Sequence, residues 1–233
     1  MKYLYYPFIV LMLVLVVVEL VPIVVWAVPN YKTYQWVLYG MLAYLVLRKL
    51  RPFSRNEEWL QTTSHEMTHA FVGMLFLHKI HSLEVTHDGE GSVYHSGGSF
   101  GSMFISLSPY CFPMLTYVML LIRIVGAKEF FYVFDILIGL SLAFHIVCFF
   151  KQTGSYQPDI KKQGYVRSYL FLVTAWLFNA SVILLDVRMG FVATIKHLFV
   201  GYWHDLVVGW NATEAFAIKM WGLAEGYIVA LMQ

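Results

Sequence analysis

Between Leu4 and Val28 the chain carries a single charged residue, Glu19. A helix that crosses a bilayer needs about 20 mostly apolar residues, whereas the apolar stretch of a cleaved signal peptide covers about 7–15. This run therefore predicts a retained first membrane span. Thr33 to Leu47, bracketed by Lys32 and Arg48, is also apolar but short for a full crossing, and it fits a tilted or half-inserted helix. Phe100 to Ile122 and Ser168 to Leu185 hold no charge, and Phe130 to Phe150 holds only Asp135, which predicts three more membrane helices.

The stretch from Asn56 to Lys79 follows another pattern. It opens on Glu57 and Glu58, acids that suit the first turn of a helix, and turns strongly apolar only after His69. Ser82 to His87 and Ser92 to His95 flank Asp88-Gly89-Glu90-Gly91, a turn signal that predicts a short β-hairpin. Beyond Asp186, Lys196, His197, His204, Asp205, Glu214, Lys219 and Glu225 interrupt a moderately apolar chain at helical spacings, as in interfacial or partner-packing helices. Within them Asn211-Ala212-Thr213 reads as a turn and a helix N-cap. The expected fold is an all-α polytopic membrane protein of about six membrane helices with one short β-hairpin. Its expected division is into N-terminal membrane helices (1–55), a core (56–187) and C-terminal amphipathic or interfacial helices (188–233).

Composition narrows the class further. Of the 233 residues 59% are hydrophobic and 13% charged, against about 25% charged in soluble domains, and the formal net charge is +2. These figures exclude an ordinary soluble globule and a disordered chain, and they argue against nucleic acid as a partner. Cys111 and Cys148 both lie in apolar runs and form neither a disulfide framework nor a metal knuckle.

Charge placement adds a constraint. The loop with Arg48, Lys49, Arg51 and Arg55 and the loop with Lys151, Lys161, Lys162 and Arg167 both belong on the cytoplasmic side. Three candidate spans separate them, an odd number, so one of the three does not cross. Asn56 to Lys79 is the weakest, and Pro109 with Pro113 can break the next.

The chemistry lies in that weakest span. His65-Glu66-Met67-Thr68-His69 is HExxH, and on a helix its two histidines stand one turn apart on one face, the spacing that lets two imidazoles share one zinc. The plain alternative, a helix with two satisfied histidines, leaves the intervening acid unexplained. Zinc bound by His65 and His69 would lower the pKa of its water to about 7 and polarise a carbonyl, with Glu66 as general base. A catalytic zinc takes three protein ligands. Donors for the third place are His78, His81, His87, His95, Asp135, His145 and Asp159. On a straight helix His78 and His81 stand about 13–18 Å beyond His69, and His87 and His95 belong to the hairpin. Asp135 and His145 are ionisable groups inside a membrane helix and hence functional candidates, or else polar residues paired within the bundle.

With HExxH followed by Ala70, a short apolar helix end, a hairpin and Ser106-Leu107-Ser108-Pro109-Tyr110, the chain resembles the site-2 protease family of intramembrane zinc metalloproteases, the M50 peptidases. The resemblance covers roughly residues 56–187. It implies a third zinc ligand from an aspartate in a Pro-x-Asp-Gly-like motif, for which Gln157-Pro158-Asp159-Ile160 is the counterpart, so Asp159 ranks first and His145 second. Ile160 stands where the family has glycine, and Ser108 where it has the glycine before the proline. It further implies a zinc endopeptidase, His65 and His69 as ligands and Glu66 as catalytic base, acting on a membrane-protein substrate within a lipid bilayer. The expected location is the cytoplasmic membrane of a prokaryote, and the sequence carries no indication of oligomeric state. Two other classes compete: an inactive M50-like regulatory or binding protein, and a metal-handling membrane transporter. The transporter has no need of an acid between the two histidines, and no inverted repeat is present.

Overall fold

The structure, a computed structural model, describes residues 5–86 and 90–231, with side chains to residue 221. Helices take up 81% of it and the only sheet among the described residues is a two-stranded antiparallel one, the all-α class expected from the hydropathy pattern. The order is α1 (Tyr5–Ala27), α2 (Gln35–Leu47), α3 (Arg51–Leu75), β1 (Lys79–Val85), β2 (Gly91–Ser96), α4 (Ser102–Cys111), α5 (Met114–Val125), α6 (Phe131–Gln152), α7 (Pro158–Gln163), α8 (Tyr165–Met189) and α9 (Phe191–Leu231). Three helical stretches are long and apolar enough to cross a bilayer, Tyr5–Ala27, Lys128–Gln152 and Tyr165–Met189; α4 with α5 makes a fourth if counted as one bent span.

The bend between α4 and α5 is 81°. Its cause is local: Pro113 supplies no N–H, and its ring forces the preceding Phe112 out of the helical region to φ −95, ψ 104. Pro109, by contrast, sits inside α4. Thirteen residues give α2 a length of about 20 Å. It lies flush against α6, because Gly40 meets the backbone of Ile136 and Gly139 that of Val37, where any side chain would collide.

Both ends of α3 lie at one end of the bundle. Near its start, Glu57 pairs with Lys151, in the last turn of α6, at 3.3 Å. Beyond its end, Phe76 stacks on Phe104 of α4, and Ser102 at the head of α4 accepts from Gln163 at the end of α7. The two ends of the HExxH helix thus meet the end of the bundle at which α6 finishes and α8 begins, while Ser64 and Met67 in its middle line a cavity with Leu137 and Leu140 of α6. Arg48 also reaches Glu57, at 3.3 Å, so the two basic loops share one end of the bundle, and α3 is not among the helices long and apolar enough to cross a bilayer.

The hairpin pairs Val85 with Gly91 and Lys79 with Ser96, with an irregularity between Ile80 and Ser82. The turn residues 87–89 lie outside the described residues. The chain after 190 forms one 41-residue helix, and Asn211-Ala212-Thr213 is not a turn: Thr213 Oγ1 donates to the Trp210 carbonyl inside a continuous α9. A hydroxyl that bonds back along its own helix relieves the need for the cap its sequence pattern suggests.

Candidate active site

His65 and His69 stand one turn apart on α3 with ring centroids 4.9 Å apart, and α7 brings Asp159 to within 3.5 Å of His69 Nε2. One donor atom from each of the three lies within 4.8 Å of the others, the only such metal-ready group among the described residues.

What surrounds the imidazoles decides whether they fit a metal. His69 Nδ1 lies 2.8 Å from the Ile105 carbonyl and His65 Nδ1 lies 3.1 Å from Gln152 Oε1. Both partners are carbonyl oxygens, which only accept, so each Nδ1 is the ring nitrogen placed to carry a proton, which leaves Nε2 of His65, and Nε2 of His69 facing Asp159 Oδ2, as the atoms turned towards a metal. The Ile105 carbonyl is available for a reason visible in the sequence. Its helical donor would be the N–H of residue 109, and residue 109 is proline. Ser108 Oγ donates to the same oxygen at 3.0 Å. A His–His–carboxylate set with an outer shell of carbonyls is a donor set suited to zinc.

Burial, with help from His69, pushes the His65 imidazole down to about 4, so it is unprotonated at neutral pH, the form a metal needs. Burial works to raise Asp159, but its hydrogen bond to His69 and the nearby histidine charge hold it below the ordinary aspartate range. Glu66 moves the other way, pushed up by burial against His69 and with the charge of Asp159 adding to the rise. Beside Glu66 lies the backbone of Gly91, where a Cβ would press on Glu66 Cγ and Thr62, so the first residue of β2 walls the carboxylate on the hairpin side.

Tyr110 completes the trio's surroundings. It is 1% exposed, donates from its hydroxyl to Asp159 Oδ2 at 3.3 Å and sets its ring edge-on to His65. Neither Tyr110 nor Gln152 stood out in the sequence. The other candidates lie elsewhere. His145 is buried two turns down α6, stacked on Trp176. Asp135 faces Arg123 at 3.0 Å towards the opposite end of α6. His78 and His95 share a contact at 2.9 Å at the hairpin's root, His81 pairs with Ser96, and His87 lies outside the described residues. Glu19 of α1 faces His197 of α9 at 3.7 Å.

A family model described as Peptidase M50B-like matches residues 38–154, just over half of the chain, a stretch that contains His65, Glu66, His69, Tyr110 and Gln152 and ends five residues before Asp159. Comparison with curated proteins and with solved structures gives no match.

Proposed function

The chain belongs to the Peptidase M50B-like family, and on that premise we propose that it is an intramembrane zinc metalloprotease hydrolysing peptide bonds in or near transmembrane segments of membrane-protein substrates. The observation that carries this reading is the convergence of three donors whose two imidazoles are held at Nδ1 by carbonyl oxygens, with Nε2 turned towards the third donor.

In this reading His65, His69 and Asp159 hold the metal. Bound there, zinc supplies Lewis-acid polarisation of the scissile carbonyl and acidifies a water. Glu66 takes the proton of the attacking water and delivers it to the departing amine. The raised affinity of Glu66 for protons suits it to both halves of that exchange. Gln152 and the Ile105 carbonyl keep the imidazoles oriented, and Tyr110 does the same for Asp159. A two-stranded sheet leaves the outer edge of each strand unpaired, so the hairpin around Leu83 to Thr86 can take the substrate as an added strand.

Metal analysis of the detergent-purified protein should find about one zinc per chain. Content should fall sharply in His65→Ala, His69→Ala and Asp159→Ala, and hold in His145→Ala. Glu66→Gln should keep the metal and lose hydrolysis, since an amide cannot accept the water's proton. Metal lost from His145→Ala but retained in Asp159→Ala would move the third ligand into α6, and undiminished cleavage by Glu66→Gln would remove that residue from the mechanism.

A further inference from the structure

Beyond His69, the face of α3 that carries the imidazoles runs into an apolar cavity of about 510 Å³, within the range of pockets that take a small organic group. Val72 and Phe76 follow His69 by one turn and two, on its stripe of the helix, and form one wall. Phe8 and Met12 of α1 and Phe171 and Ala175 of α8 form others. Ser108 of α4 joins the cavity to the site, since it lines the one and donates to the Ile105 carbonyl that also holds His69. Phe8 is 53% exposed and Leu75, which also lines the cavity, 64%, so the space opens outward.

The polar groups in these walls have no proton left to give. Ser108 donates to Ile105, Thr174 to the Leu170 carbonyl and the Tyr117 hydroxyl to Asn179 Oδ1, while the Asn179 amide donates to the Cys111 and Ala175 carbonyls. No charged residue lines the cavity. A carboxylate entering it finds no donor and an ammonium no counter-charge, so either is desolvated without compensation. An aliphatic or aromatic side chain only leaves water, which is favourable.

Resting on the metalloprotease reading, we infer that this cavity is a specificity pocket, which takes a large apolar side chain of the substrate two or three residues to one side of the scissile bond. The helix sets that spacing. Val72 and Phe76 stand about 5 and 11 Å along α3 from His69, and an extended peptide advances about 3.3 Å per residue.

The test uses the full-length protein in liposomes with a single-span reporter whose cut is located by mass spectrometry, each residue around the cut being set in turn to Ala, Leu or Asp. At one position, two or three residues from the cut, Leu should raise kcat/KM over Ala at least about tenfold and Asp should abolish cutting. Ala175→Phe and, independently, Met12→Trp fill the cavity from different helices. Each should shrink the preference for Leu to about threefold or less, with zinc content and cutting of the Ala reporter unchanged. Binding of the uncut Leu reporter to Glu66→Gln protein should weaken about tenfold when either filling substitution is added. A flat scan, or a preference for Leu that survives in both filled variants with zinc retained, overturns the pocket and leaves the protease reading standing. So does a phospholipid that co-purifies with the wild type and is lost from both filled variants with no change in preference. Wild-type protein that cuts no reporter above the Glu66→Gln background overturns the protease reading, and this inference with it.

Discussion

At the scale of single residues, the most informative neighbour of the candidate metal trio is a missing hydrogen. Proline at 109 denies Ile105 its helical donor, and both acceptor positions of that carbonyl then go to His69 and Ser108. Pro109→Ala restores an N–H aimed at the same oxygen and should weaken zinc affinity by about tenfold, at the low end of what loss of a ligand's orienting partner costs. Competition titration with a chelator measures it; an unchanged affinity would mean that Pro109 shapes α4 without touching the imidazole. The HExxH pair was legible in the sequence because helical spacing is local. Asp159 came from a resemblance. Gln152 and Tyr110 were beyond reach, since their bonds close loops of 87 and 49 residues and no periodicity reports such pairings. The one available signal was Pro109 itself, four residues after Ile105.

At the scale of elements, α3 owes its position to its first turns. Glu57 is 6% exposed and takes hydrogen bonds or ion pairs from Tyr44, Arg48 and Lys151, linking α2, α3 and α6. Burial acts to raise its pKa, yet the Tyr44 and Lys151 hydrogen bonds and the two cations prevail, so the folded value lies below the ordinary 4.5. A carboxyl depressed on folding contributes stability above its unfolded pKa and loses it as pH falls through the folded one. Glu57→Gln should therefore cost about 2 kcal/mol at pH 7, between an exposed pair and a fully buried one. The gap from wild type should close on acidification below about pH 4.5. Thermal unfolding in detergent from pH 7 to pH 4 checks this, and a gap that is absent or constant with pH would show that the network contributes nothing through charge. Hydropathy predicted the long apolar helices and the hairpin well, because each is written in a local pattern. It misread Asn211-Ala212-Thr213, where a short cap motif was overridden by a helix already under way.

At the scale of the whole molecule, the contacts of Glu57 with Arg48 and Lys151 put the loops of Lys49 and Ser155 at one end of the bundle. Cys111 and Cys148 are buried, so Lys49→Cys and Ser155→Cys can be labelled singly with a membrane-impermeant maleimide. Both should react from the cytoplasmic side alone; reaction from opposite sides would mean that α3 crosses after all. That the partners of α3 come later in the chain also orders the making of the protein. A nascent chain that has emerged only through His69 offers two of the three donors, and the α6 terminus that orients His65 does not yet exist. At about 5–20 residues per second the ribosome needs several seconds more to reach Asp159. The partners of the two imidazoles, the Ile105 carbonyl and Gln152, both come after α3, so the three-donor group closes late in synthesis.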